Sequence, residues 1–177
     1  AGTKTYTFTY TACDNTTTTW VFTYTISAPI LTPPAAGSST VACLADAVAP
    51  TPPTVLDNCG RTLTPGTPVA GTDPTCAGTK TYTFTYTACD NTTTTWVFTY
   101  TISAPILTPP APGSSTVACL ADAVAPTPPT VLDNCGRTLT PSAPVAGTDP
   151  TCAGTKTYTF TYTACDNTTT TWVFTYT

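Results

Sequence analysis

Residues Lys80–Ile102 read KTYTFTYTACDNTTTTWVFTYTI. Tyr82, Phe84 and Tyr86 alternate with Thr81, Thr83, Thr85 and Thr87; past a polar break, Trp96, Phe98, Tyr100 and Ile102 alternate with Val97, Thr99 and Thr101. Successive side chains on a strand point to opposite faces, so a period of two over this length predicts two β-strands. One face collects the aromatics and Ile102; the other is almost entirely threonine. Cys89-Asp90-Asn91 and the threonines after it carry the turn signal of a β-hairpin with a longer loop. The aromatic row is the predicted core, led by Tyr82, Phe84, Tyr86, Trp96 and Phe98.

The hairpin recurs. AGTKTYTFTYTACDNTTTTWVFTYT begins at Ala1, again at Ala77 and again at Ala153, so the copies are evenly spaced. Residues 26–101 and 102–177 are complete units that differ only at Ala36 against Pro112, Gly66 against Ser142 and Thr67 against Ala143. Residues 1–25 match the last third of a unit, which reads most simply as a window on a longer array. The period is too long for a solenoid with one hairpin per turn and suits a string of small domains.

Charge is low, at 8% of residues, with a net charge of −4, no His and no Glu. The few basic groups are scattered, which argues against a nucleic-acid partner. No apolar run reaches the roughly 20 residues that a membrane-spanning helix needs. Threonine is the anomaly, at 50 of 177 residues. It is β-branched and hydrogen-bonds across strands, so the plain reading is a solvated sheet face. A glycan-binding or ice-binding hydroxyl array is the sharper alternative. Asn15, Asn91 and Asn167 each open an Asn-Thr-Thr sequon, a candidate N-glycosylation site.

Each complete unit has four cysteines, and Cys13 belongs to the partial one. With no histidine and no Cys-x-x-Cys, this composition argues for disulfides, an oxidising compartment and a secreted or cell-surface protein rather than a zinc site. Three connectivities are open within a unit. Cys59 and Cys89 each adjoin an Asp-Asn pair, in loops that an Ig-like topology puts at one end of the sandwich. The expected bridges are therefore Cys59–Cys89 with Cys43–Cys76, repeated as Cys135–Cys165 with Cys119–Cys152.

Along one unit, Ile26–Pro34 is a stiff proline-rich linker running into an edge strand. Ser39–Ala45 reads as a short strand carrying Cys43, Ala49–Thr54 as an extended loop, Val55–Leu63 as a turn into a strand, and the surroundings of Val69 as another. The hairpin that follows has no proline. Six or seven short strands per unit give an all-β fold: tandem, disulfide-stapled, Ig-like antiparallel β-sandwich domains.

The segments LTPP, GSSTVACLADA, APTPP, VLDNCG, TYTFTYTACDN and WVFTYTI together resemble the HYR-like (hyalin-type), immunoglobulin-like repeats of large bacterial surface and secreted proteins. The resemblance covers essentially the whole unit and is most specific at Asp57-Asn58-Cys59-Gly60 and in the Tyr-Thr-Tyr-Thr strand before Cys89. It implies an Ig-like sandwich with a structural or adhesive role. The glycine-containing turn usual in the family is replaced here by Asp90-Asn91-Thr92-Thr93, which puts any function of that loop in doubt.

No constellation for catalysis is visible. The carboxylates are turn aspartates, and no serine or threonine has a basic partner to activate it. Asp46, Asp57, Asn58, Asp90 and Asn91 are expected to gather at one end of a sandwich, where their oxygens could hold Ca²⁺ and stiffen a joint. Capping of their own turns competes as an explanation and is the stronger one. The leading functional expectation is a non-enzymatic extracellular array, forming a filament or an adhesin stalk on or outside a bacterial cell. Copies of itself, lateral or head-to-tail, are its expected partners, with no cofactor beyond the calcium alternative. The rival is a multivalent module that binds surface glycans.

Overall fold

The computed structural model describes all 177 residues. The chain falls into two compact units. One comprises Ala1–Gly37, Ala49–Gly71 and Thr81–Phe98; the other comprises Ser38–Val48, Thr72–Lys80 and Thr99–Thr177. These borders cut across the sequence repeats: the second unit takes residues 38–48, 72–80 and 99–101 of the first complete repeat together with the whole of the second.

In chain order the strands are β1 (Gly2–Thr11), β2 (Thr17–Ile26), β3 (Gly37–Val41), β4 (Val55–Leu56), β5 (Thr62–Leu63), β6 (Val69–Ala70), β7 (Gly78–Thr87) and β8 (Thr93–Ile102). The second complete repeat adds β9 (Gly113–Ser115), β10 (Val131–Leu132), β11 (Thr138–Leu139), β12 (Val145–Ala146), β13 (Lys156–Thr163) and β14 (Thr169–Tyr176). The only helices are 3-10 turns at Leu44–Asp46 and Leu120–Asp122.

The second repeat shows how the pattern folds. Its long hairpin pairs β13 with β14 in antiparallel register, Phe160 opposite Trp172 and Tyr158 opposite Phe174. β12 joins on one side, antiparallel, and β9 on the other, giving the order β12-β13-β14-β9. β9 runs parallel to β14, so the sheet is mixed, a correction to the wholly antiparallel sandwich expected from the sequence. The reason is local: the chain enters the repeat along the edge of β14 rather than through a tight turn. The first complete repeat has the equivalent order β3-β8-β7-β6.

The two-stranded sheet β10-β11 covers this sheet. Val131 and Leu139 from one layer pack with Phe160, Tyr162, Ala164 and Trp172 from the other, and Leu107, Tyr158 and Phe174 close the margins. This is the sandwich read from the sequence, with a smaller second layer. In the first complete repeat Tyr82, Phe84, Tyr86 and Trp96 are buried, whereas Phe98 is only half-buried. Phe98 lies against Gly37, as Phe174 lies against Gly113; a Cβ at either glycine would collide with the ring. The edge strand needs glycine there to cross an aromatic side chain.

Polar atoms of the core are satisfied by the proline-rich segments. Tyr162 is fully buried and donates its hydroxyl to the Pro129 carbonyl at 2.6 Å. Trp172 Nε1 donates to the Ala111 carbonyl at 2.8 Å. Tyr86 and Trp96 repeat these bonds with Pro53 and Ala35. Prolines cannot donate to a ladder, and here their carbonyls serve as acceptors for the core.

Ser39–Ala45 is not one strand: β3 stops at Val41, and Cys43 precedes the 3-10 turn at Leu44–Asp46. Leu31 and Leu107, in the proline-rich entry segments, form single antiparallel bridges to Asp57 and Asp133 rather than a strand.

The first hairpin is the instructive exception. β1 and β2 pair along their whole length, Phe8 opposite Trp20, as a two-stranded sheet. Its aromatic face is open: Trp20 is 52% exposed where Trp96 is 6%, and Tyr10 is 58% exposed where Tyr86 is 0%. The sequences are identical, so the difference lies in the cover. The second and third hairpins belong to repeats that carry a second, two-stranded layer, β4-β5 and β10-β11, and β1-β2 stands as a sheet by itself.

Candidate functional site: a pair of disulfides between repeats

Two disulfides lie within the second compact unit. Cys43 bonds Cys135 with Cα atoms 5.5 Å apart, and Cys76 bonds Cys165 with Cα atoms 5.6 Å apart, both inside the usual range. Each joins a cysteine of the first complete repeat to one of the second. The expected bridges Cys59–Cys89, Cys43–Cys76, Cys135–Cys165 and Cys119–Cys152 are absent. Cys13, Cys59, Cys89, Cys119 and Cys152 are free and exposed.

The reason for this correction is geometric. Cys119 and Cys152 line one cavity at the end of the sandwich marked by Tyr176 and Thr177, yet they are not bonded to each other. Cys165 lies at the opposite end, in the turn between β13 and β14 and beside Thr163. Cys43 and Cys76 therefore meet Cys135 and Cys165 of the next repeat rather than a partner in their own.

The Asp133-Asn134-Cys135-Gly136 turn is built to present its sulfur. Asp133 Oδ1 accepts from the backbone N–H of Cys135 and of Arg137, each at 2.9 Å, and Oδ2 accepts from Arg137 Nε at 2.7 Å. Gly136 holds φ at +76°, the left-handed region that glycine enters without penalty. Asn134 Oδ1 accepts from the backbone N–H of Ile106 at 2.8 Å and so fixes the incoming linker. Burial pushes the Asp133 carboxyl up, but the backbone and side chain of Arg137 and the Cys135 N–H outweigh it, and the group sits below its ordinary value of 3.8. Arg137 also reaches the Thr75 carbonyl with Nη1 at 3.4 Å. A cavity of about 360 Å³ remains, lined by Cys43, Cys76, Ile102, Cys135 and Arg137 among others.

Cys165 sits in the tight turn of the long hairpin. Asp166 Oδ1 accepts from the N–H and hydroxyl of Thr168, and Asn167 takes φ of +67°. Asp90 and Asn91 repeat this arrangement beside the free Cys89. The side-chain bond from the threonine is the chief reason that Asp90 and Asp166 lie below 3.8. The residues read as calcium ligands are thus turn-builders. Asp57 accepts from Cys59, Arg61 and the Arg61 guanidinium, and Asn58 Oδ1 from the Ile30 N–H. Asp46 does not belong with this set. Its counterpart Asp122 lies in the 3-10 turn after Cys119, at the Tyr176 end, whereas Asp133 lines a cavity with Thr163 and Cys165 at the other. No three carboxylates or thiols anywhere in the chain converge as a metal site.

The sequon residues Asn15, Asn91 and Asn167 sit at these turn apices with positive φ. Lys80 and Lys156 pair with Asp73 and Asp149. The contribution of Arg137 is not legible in the sequence, because an arginine beside a cysteine carries no pattern there. The available hint is the short linker between units, which brings the end of one repeat close to the start of the next.

The aromatics of both complete repeats form their cores, and the exposed set Tyr6, Phe8, Trp20, Phe22 and Tyr24 occupies the equivalent positions of the first hairpin. No helix is long and apolar enough to cross a membrane. The family model of the HYR-like domain with four cysteines matches residues 31–102 and again residues 107–177. No curated protein matches the chain. HYR-like domains are extracellular, adhesion-type repeats and are not enzymes, and disulfides are at home in that setting. Matched across both complete repeats, the chain belongs to the family of HYR-like domains with four cysteines.

Proposed function

We propose that this chain is part of an extracellular structural array, a filament or the stalk of an adhesin on or outside a bacterial cell, and that it catalyses no reaction. One observation carries the reading: Cys43–Cys135 and Cys76–Cys165 tie consecutive repeats to each other instead of stapling each repeat internally. Bridges inside a domain stabilise that domain, whereas bridges between domains fix the array. Near-identical repeats give every joint the same chemistry, which suits an open-ended assembly.

The glycan-reading alternative calls for aromatics outside the core. The exposed ones lie on the β1–β2 hairpin, whose copies elsewhere are core residues. Electron microscopy of the native material tests the proposal. Linear threads or filaments with a regular axial repeat are expected; discrete globular particles with no linear order would overturn it.

A further inference from the structure

Cys135 and Cys165 belong to one repeat, yet each bonds a cysteine of the repeat before it, Cys43 and Cys76 respectively. One side chain stands among all four. Arg137, two residues after Cys135, lines the cavity that holds Cys43, Cys76 and Cys135. It also lines the cavity that holds Thr163 and Cys165. Its guanidinium is therefore set between the Asp-Asn-Cys-Gly turn and the hairpin turn of its own repeat.

The two complete repeats show this arginine in two states. In both, Nε is anchored on the turn aspartate: Arg61 on Asp57 Oδ2 at 2.8 Å, Arg137 on Asp133 Oδ2 at 2.7 Å. The far end of the fork differs. Where Cys59 and Cys89 are free, Arg61 donates from Nη2 to the Cys89 sulfur at 3.2 Å. Where Cys135 and Cys165 are bonded, Arg137 donates from Nη1 to the Thr75 carbonyl at 3.4 Å, and Thr75 directly precedes Cys76. In the free state the fork holds the hairpin sulfur; in the bonded state it holds the backbone beside the sulfur that the hairpin cysteine has taken. A planar guanidinium suits this handover, because its several donors can grip a carboxylate and a second acceptor at once.

We propose that this arginine is a positioning residue that selects the disulfide partner. It screens the hairpin cysteine from the Asp-Asn-Cys-Gly cysteine of the same repeat and aligns the neighbouring repeat, so that Cys165 takes Cys76 and Cys135 takes Cys43. This goes beyond the array reading, because it concerns which bridges form and not what the bridged chain builds. The oxidant is a low-molecular-weight disulfide such as glutathione disulfide. One protein thiolate attacks it and displaces a glutathione thiolate; a second protein thiolate attacks the protein sulfur of the mixed disulfide and releases the other. Two protein thiols are oxidised and one glutathione disulfide is reduced to two glutathione molecules per bridge. Arg137 makes and breaks no bond; it decides which second thiolate is within reach.

The test reduces the full chain, reoxidises it in a glutathione redox buffer and reads the bridges by non-reducing peptide mapping. The parent should return Cys76–Cys165. R137A should raise the ratio of Cys135–Cys165 to Cys76–Cys165 by about tenfold, the scale of one hydrogen bond to a charged group. N134A is the control: it removes the acceptor of the Ile106 N–H from the same turn and leaves the guanidinium in place, so its pairing should match the parent's. Unchanged pairing in R137A, pairing scattered over all the cysteines, or the same diversion in N134A overturns the proposal.

Discussion

Cys43 and Cys135 are bonded across a sequence separation of 92, the first beside a 3-10 turn of one repeat and the second inside the Asp-Asn-Cys-Gly turn of the next. Non-reducing peptide mapping of the oxidised chain should return Cys43–Cys135 and Cys76–Cys165. A dominant Cys43–Cys76 or Cys135–Cys165 peptide would refute the arrangement. Replacing Cys43 and Cys135 together by serine should cost about 2–4 kcal/mol of unfolding free energy, read by urea denaturation, because each bridge restrains a long loop of the unfolded chain.

Trp20 and Trp96 occupy the same place in identical sequences and differ only in what covers them. A chain keeping Trp20 alone, with Trp96 and Trp172 replaced by phenylalanine, should show fluorescence readily quenched by acrylamide. The chain lacking only Trp20 should be well protected. Trp96→Ala should destabilise by about 3–5 kcal/mol, whereas Trp20→Ala should stay within about 0.5 kcal/mol. Equal quenching of the two chains would contradict the exposed hairpin.

Tyr162 is buried, and its hydroxyl meets the Pro129 carbonyl. Burial raises its phenol above the ordinary value of 10, so it stays a donor throughout the neutral range. Tyr162→Phe should cost about 1–3 kcal/mol, since the proline carbonyl loses its partner in a dry site. Tyr10→Phe, the same position on the open hairpin, should be silent. The comparison needs only two urea curves.

Acid should loosen the Asp-Asn-Cys-Gly turns. The backbone N–H of Arg61 is the chief reason that the Asp57 carboxyl lies below 3.8; burial opposes it, and the Arg61 side chain and the Cys59 N–H reinforce it. A carboxyl depressed in the folded state stabilises the fold above its unfolded value and loses that contribution as pH falls through the folded one. The urea midpoint should therefore hold down to about pH 4 and decline below it. The D57N/D133N variant should start lower at neutral pH and show a flatter acid limb. A variant as acid-sensitive as the parent would place the sensitivity elsewhere.

The long hairpins, their inward aromatic faces and the all-β sandwich are legible in the sequence because a period-two pattern sustained along two full strands has only one structural solution. The family is legible from the Asp-Asn-Cys-Gly turn and the Tyr-Thr ladder. The parallel edge strand is not, since Gly113-Ser114-Ser115 has no alternation and owes its place to the ring of Phe174. Disulfide pairing escapes for a different reason. Four cysteines in a small unit invite closure within the unit, and nothing local in sequence reports that outward-facing sulfurs at two ends find each other only across a joint. Asp46 is misplaced likewise when nearness to Cys43 is read as nearness to Asp57.

The crossed bonds also decide how the chain would carry tension. Between Cys43 and Cys165 a pull has two routes: along the backbone to Cys76 and across its sulfur, or across the sulfur of Cys43 and along the backbone from Cys135. The two routes are nearly equal in length and share the load side by side. The backbone from Cys76 to Cys135, which includes the β7–β8 hairpin and the proline-rich connection, becomes a slack rung between them. Force that would ordinarily unravel a hairpin or stretch a linker is diverted through two sulfur bridges, and a thread built on this plan would resist elongation even where its individual sandwiches are weak.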